Sequence, residues 1–432
     1  MREDSRGQGP RPGLIGVLLL AATLCLGAAA RAETIAIACG SVGIEYQLCK
    51  EGAEAWGAKA GHQVQVVQTP ASATDRLALF QQLLAAGSSD VDVFQVDVIW
   101  PGILGRYFVD LRKYIDAPTV DAHFKTQVEN NTVGGELKAL PWFADVGLLY
   151  YRKDLLDKYG QAVPATWDAL AAAARTIAEG ERKAGDAAMV GLVFQGKAYE
   201  GLTCNALEWV DGFGGGSIVD ETGKITLNNP RAVEALRTAA GWIGTIAPQG
   251  VLSYAEEDAR GVFQSGHAVF MRNWPYAWAL ANQADSPVKG KVGVAVLPAG
   301  GATGKPTGTL GGSGLAVSRF SKHPAEAADL VRYLASPAEQ ARRAIVGAFN
   351  PTIPSVYKDP AVVKAQPLLG QILPAMKNAV ARPSRVAGDR YNQVSSIFWN
   401  AAHDALSGRA QPDASLAAAA ASLNRLSHDG RW

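Results

Sequence analysis

Asp97 closes the apolar run Val91-Asp92-Val93-Phe94-Gln95-Val96, where a buried strand should be ending. A carboxylate at a strand's carboxyl end either meets a ligand in the crevice beyond the sheet or caps the next helix through backbone N–H groups, and the run alone leaves both open. Trp100, three residues on, offers an apolar face beside it. Similar neighbourhoods recur in Pro141-Trp142-Phe143-Ala144-Asp145 and in Asn273-Trp274-Pro275-Tyr276. Rings beside charged groups suit a pyranose, whose C–H faces stack on aromatics while its hydroxyls bond to carboxylates and guanidiniums. One such pair is ordinary core and cap. Recurrence at strand ends in both halves of the chain points to a ligand cleft between two domains.

Enzyme signatures fail at identifiable positions. Gly311-Gly312-Ser313-Gly314-Leu315 lacks the second glycine of a nucleophile elbow. Gly304-Lys305 is followed by Pro306, where a P-loop requires Ser or Thr. The glycines of 212–217 do not complete a dinucleotide fingerprint. His62, His123, His267, His323, His403 and His428 stand singly, so neither a metal nor a cofactor is expected. A glycoside hydrolase using Asp97 and Asp145 as its two carboxylates remains the competing class.

Alternating elements must position these residues. Strands are expected at 34–38, 63–68 and 91–96 with helices at 45–60 and 74–86 between them, a βαβαβ order that implies a parallel sheet. The pattern restarts after Pro141, with strands at 146–151, 191–194 and 268–271 and helices at 167–184 and 230–246. Strands at 291–298 and 314–318 follow, then a helix at 324–335 and an alanine-rich, mostly helical tail from Pro337. Arg2, Arg6 and Arg11 precede the apolar run 14–26 and Ala30-Arg31-Ala32, which reads as a signal peptide cut after Ala32. The run is shorter than the roughly 20 residues of a spanning helix, so an exported, soluble mature chain is expected. About 400 residues favour two domains. Without residues 1–32, which hold Arg2, Arg6, Arg11 and Arg31 against Glu3 and Asp4, the chain has 37 basic and 38 acidic residues. That balance argues against nucleic acid or an anionic membrane as partner. Of the three remaining cysteines, Cys39 and Cys49 are spaced for a short loop, and Cys204 would be left as a buried thiol.

The chain resembles the extracellular solute-binding proteins of ABC sugar importers, in the maltose-binding class and nearest its trehalose/maltose and α-glucoside binders. The likeness runs through Ile37-Ala38-Cys39-Gly40, Pro141-Trp142-Phe143, Leu149-Tyr150-Tyr151-Arg152-Lys153-Asp154, Val262-Phe263-Gln264-Ser265-Gly266, Phe270 to Tyr276 and Ala381-Arg382-Pro383. The resemblance implies a type II periplasmic binding protein fold, α/β with two lobes around a ligand cleft. It implies a first lobe of residues 33–141 plus 297–335, a second of 142–296 plus 336–432, and chain crossings near 141–145, 294–298 and 335–340. It also implies a periplasmic monomer that binds an α-linked disaccharide of trehalose, maltose or sucrose type and delivers it to the transmembrane subunits of a permease.

Carried over residue by residue, the resemblance implies ligand contacts from Glu45, Arg76 and Asp97 on the first lobe. From the second lobe it implies Phe143, Asp145, Trp274, Tyr276 and Arg382. Glu256 matches an acid that some relatives point at the cleft, although Glu256-Glu257-Asp258 reads equally as an exposed face. Backbone N–H groups of Gly311 and Gly312 would add to the site. Where relatives commonly carry Trp after Thr-Leu-Gly-Gly, this chain has Ser313, and Arg385 stands close by. Losing that indole widens the pocket, so a substituted or anionic glycoside, or a polyol phosphate, stands as the alternative ligand.

Overall fold

A computed structural model describes residues 32–432, so the leader expected over 1–32 lies outside the described residues except for Ala32. Eleven strands appear among the described residues: β1 Thr34–Cys39, β2 Gln63–Gln68, β3 Val93–Asp97, β4 Thr132–Val133, β5 Glu136–Leu137, β6 Leu140–Val146, β7 Leu148–Arg152, β8 Val190–Val193, β9 Ala268–Asn273, β10 Val292–Ala295 and β11 Leu310–Val317. They form a first sheet in the order β2-β1-β3-β11-β6, a second in the order β10-β7-β9-β8, and the small hairpin β4-β5.

The expected βαβαβ unit is present. β1 pairs in parallel with β2 and β3. Helix Glu45–Ala60 ends where Gly61 turns left-handed at φ 77°, a conformation glycine adopts without penalty. Helix Ala73–Ala85 starts at Ser72, whose side chain accepts from Asp75 N–H. β11 and β6 then extend the sheet antiparallel, so its far edge is not parallel as the βαβαβ reading alone implies. Helix Pro230–Ala240 is shorter than expected, since the chain turns at Gly241. Cys39 and Cys49 are disulfide-bonded and Cys204 is a buried free thiol.

The chain changes sheets at places other than those expected. The strand anticipated at 146–151 is two strands separated by Gly147, and every residue of β6 is buried within the first sheet. A Cβ at Gly147 would fall 2.0 Å from Glu208 Oε1, which also accepts the Thr309 N–H. The first crossing is therefore Gly147, not 141–145, and residues 142–146 belong with the first sheet. The return runs between β10 and β11. Helix Pro337–Gly347 still leans on the first sheet's helix, Arg342 donating to Leu48 O at 2.8 Å, so no crossing occurs at 335–340.

Candidate functional site

Strand register assembles the floor of a cavity. On β11, Ser313 lies opposite Asp97 of β3 and Phe143 of β6, while Gly311 lies opposite Asp145. The register slips between Ser313 and Gly314, and Gly312 takes φ 118°. A Cβ there would sit 2.3 Å from Phe143 O, so only glycine fits. Gln95 ties this floor to the first helix by donating to Glu45 Oε1 at 3.0 Å and to Ser313 Oγ at 3.3 Å. The cavity holds about 640 Å³ counting its open mouth. Its walls include Glu45, Arg76, Asp97, Phe143, Asp145, Trp274, Tyr276, Gly311, Gly312, Ser313, Arg382 and Glu256.

The charged lining is partly self-paired. Arg382 donates through Nη2 to Asp97 Oδ1 at 2.7 Å and through Nη1 to Glu200 Oε1 at 2.9 Å. Asp97 belongs to the first sheet, whereas Glu200 opens helix Glu200–Gly212, which follows β8 of the second. One guanidinium therefore bridges carboxylates from both sides of the cleft. Tyr391 and Ser395 hydroxyls complete the shell of Glu200, at 2.7 and 2.6 Å. Asp97 also accepts the Ile99 N–H at 3.2 Å, so the capping role and the cavity role coexist.

Other polar groups in the lining lack such partners. Asp145 Oδ1, Arg76 Nε and Nη1, and Arg382 Nε are sealed from solvent without a hydrogen bond among the described residues. Each such group costs about 1–3 kcal/mol until a partner arrives. Burial first, and then the charge of Glu45, pushes the Asp145 carboxyl up to about 8, with Arg343 and Arg272 pulling the other way. Cys204 also borders the cavity, but burial pushes its thiol up to about 12, leaving it unreactive at neutral pH.

The aromatic wall is held from behind. Trp274 is half-buried, its indole N–H directed to Glu256 Oε1 at 3.4 Å, and the Arg272 guanidinium stacks on it at 3.9 Å from the ring centre. Arg272 is itself fixed by a buried pair with Glu208. Tyr276 donates to Glu257 at 2.6 Å, and Tyr150 donates to Trp274 O at 2.7 Å. Phe143 meets Phe349 edge to face at 4.9 Å.

The residues expected at the site thus converge, with corrections. Phe143 and Asp145 reach the cavity from the first sheet, not from across the cleft, because β6 continues to Val146. Arg385 is exposed on the short helix Ser384–Ala387 and does not border the cavity. Trp100 is core: it packs edge to face on Phe80 and supports the Arg76 guanidinium at 5.3 Å. Glu256 is not on an exposed face, since it also accepts from Tyr199 at 2.6 Å. Glu200 and Phe349 were not anticipated. Nothing local in the sequence marks Glu200, and Phe349 is turned into place by Ala348 at φ 56°, which a sequence does not reveal.

Comparison with known proteins decides the family. The family model for bacterial extracellular solute-binding protein matches residues 43–341. The chain belongs to this family. A probable ABC transporter-binding protein of Deinococcus radiodurans is 52% identical over 415 residues, covering 96% of this chain and 98% of that protein. Maltose-bound MalE3 of T. maritima superposes with a TM-score of 0.86 at 40% identity, over 91% of this chain and all of that one. The GacH receptor of Streptomyces glaucescens, solved unliganded and with acarbose, gives 0.81 at 24% identity over 92% and 99% of the two chains. The fold is the two-lobe, type II arrangement of the maltose-binding class. The protein is a solute-binding component of an ABC transporter acting outside the cytoplasm, and not an enzyme.

Proposed function

We propose that this binding protein takes a neutral α-linked diglucoside of maltose or trehalose type and hands it unaltered to its permease. The observation that carries this reading is the set of buried, unpartnered polar atoms on Asp145, Arg76 and Arg382 beside the rings of Trp274, Tyr276, Phe143 and Phe349. Sugar hydroxyls supply donors and acceptors to such atoms, and sugar C–H faces cover the rings. The 40% identity to a maltose-bound protein supports the same class.

An anionic glycoside or polyol phosphate fits less well. The lining carries carboxyl groups on Glu45, Asp97, Asp145, Glu200 and Glu256 against guanidiniums on Arg76 and Arg382, and Arg382 is already engaged twice. Ligand held between Asp97 and Asp145 on one side and Trp274 on the other adds to the Asp97–Arg382–Glu200 bridge and so shifts the population toward the closed arrangement. Export by a leader cut after Ala32, action as a monomer, and lobes that part at Gly147 complete the proposal.

The test is a thermal-shift series with maltose, trehalose, sucrose, a glycosyl phosphate and a sugar alcohol. An α-diglucoside at 100 times its dissociation constant should stabilise the protein by about 2.7 kcal/mol. A shift confined to the phosphate, and diminished by salt, would replace this reading with the anionic one.

A further inference from the structure

Behind the aromatic wall lies a charge with no partner. Arg343, on helix Pro337–Gly347, is 1% exposed. Its Nε, Nη1 and Nη2 are all sealed from solvent without a hydrogen bond among the described residues. Its guanidinium carbon sits 3.7 Å from the ring centre of Trp142, 4.5 Å from that of Phe349 and 5.2 Å from that of Phe143. Neighbouring Arg342 has conventional partners in Glu339, Glu51 and Leu48 O. A buried guanidinium lacking a carboxylate is a net cost to folding that ring contacts offset only in part. A methionine would fill a similar space without that cost.

The cage is built into the cavity. Phe143 and Phe349 also line it. Ala348, at φ 56°, ends the helix and returns the chain so that Asn350 bonds Ala144 in both directions, at 3.0 Å each. That pairing clamps Phe349 to β6 between Phe143 and Asp145. The charges around Arg343 are Glu45, Asp145, Glu339 and Arg342, and the first two line the cavity.

We propose that Arg343 is a positioning residue of the sugar site, a fixed positive charge behind the Phe143–Phe349 wall that orients the rings and the Asp145 and Glu45 carboxyls toward ligand hydroxyls, at a cost in stability. This rests on the cavity being the sugar site. Burial lowers the guanidinium itself only to about 9, so it stays charged at neutral pH. Asp145 is faced by Glu45, Arg343, Asp97 and Arg272, and removing Arg343 leaves two carboxylates opposed by one cation.

The experiment compares the full chain with its Arg343→Met and Arg343→Lys variants by maltose calorimetry, by unfolding, and by NMR titration of the Asp145 carboxyl without ligand. Arg343→Met should keep or raise the Tm, weaken maltose about tenfold or more, and move the Asp145 midpoint up by about one pH unit, with Arg343→Lys recovering part of each loss. An unchanged maltose Kd and an unchanged Asp145 midpoint in Arg343→Met overturn the proposal, whatever the Tm does. If Arg343→Met does not fold, Arg343→Lys carries the same readings at smaller amplitude. Should the wild-type protein not bind maltose, the sugar reading is what has failed, and the ligand-free Asp145 titration still decides the role of Arg343.

Discussion

Replacing Asp145 with Asn isolates the burden that one buried carboxyl places on the unliganded protein. In the folded state its pKa stands at about 8 against the usual 3.8, with burial the largest cause. The folded protein therefore holds this proton more tightly than the unfolded chain does. Stability is lost as pH rises from about 4 to about 8 and levels off above. At pH 7 roughly three units of that shift are felt, a ceiling of about 4 kcal/mol at about 1.4 kcal/mol per unit. Asn keeps the shape and cannot ionise. In urea unfolding between pH 5 and 8, Asp145→Asn should gain on the wild type by about 3 kcal/mol as pH rises. His123, pushed down to about 4 by burial, titrates equally in both proteins and cancels from the difference. Arg343 acts only toward pH 9, above the range used. A difference between variant and wild type that stays constant from pH 5 to 8 would mean that Asp145 is ionised and satisfied in the folded protein, contrary to its burial.

Arg382→Ala strands the buried Glu200 and the half-buried Asp97 without their shared cation, so it should lower unfolding stability by about 3 kcal/mol, and a loss below about 1 kcal/mol in chemical denaturation would show that the bridge is not formed in solution. Gly311→Ala places a Cβ 3.0 Å from Trp274 Cζ3. The displaced indole should weaken maltose about tenfold by calorimetry with unchanged circular dichroism, whereas an unaltered Kd would mean Trp274 rests elsewhere. Both disulfide sulfurs belong to residues with no exposure, so thiol assays should find the Cys39–Cys49 bridge resistant to mild reductant until the protein unfolds. Replacing both with Ser should cost about 2–3 kcal/mol in unfolding.

Much of the first sheet was legible because its physics is local. The helix at 45–60 and the strand at 63–68 fall where they were expected, since each is bounded by short-range signals such as Gly61. Asp97 was legible as a strand terminus for the same reason. What the sequence hid depends on distant strands. Pro141-Trp142-Phe143-Ala144-Asp145 reads as a lead-in to a second domain, yet pairing with β11 makes it the last strand of the first sheet. Glu256 looked solvated because two acids follow it, and only the fold brings Tyr199 and Trp274 to it. Arg385 attracted attention by nearness in sequence to Arg382, but one turn of helix points it to solvent. Glu200 and Arg343 carry no local mark at all, since their roles arise from partners 182 residues away in Arg382 and from a ring cage closed by the turn at Ala348.

Calorimetric titration of maltose into the wild-type protein and into Trp274→Ala asks whether the cavity is the sugar site. A sugar cleft floored by β3, β6 and β11 and walled by Trp274 predicts one saturable site in the wild type, recovery of the maltose intact, and at least about tenfold weaker binding in a variant whose circular dichroism is unchanged. No binding of maltose or any other α-diglucoside, or an equal Kd in both proteins, would mean that the cleft is not a sugar site walled by Trp274.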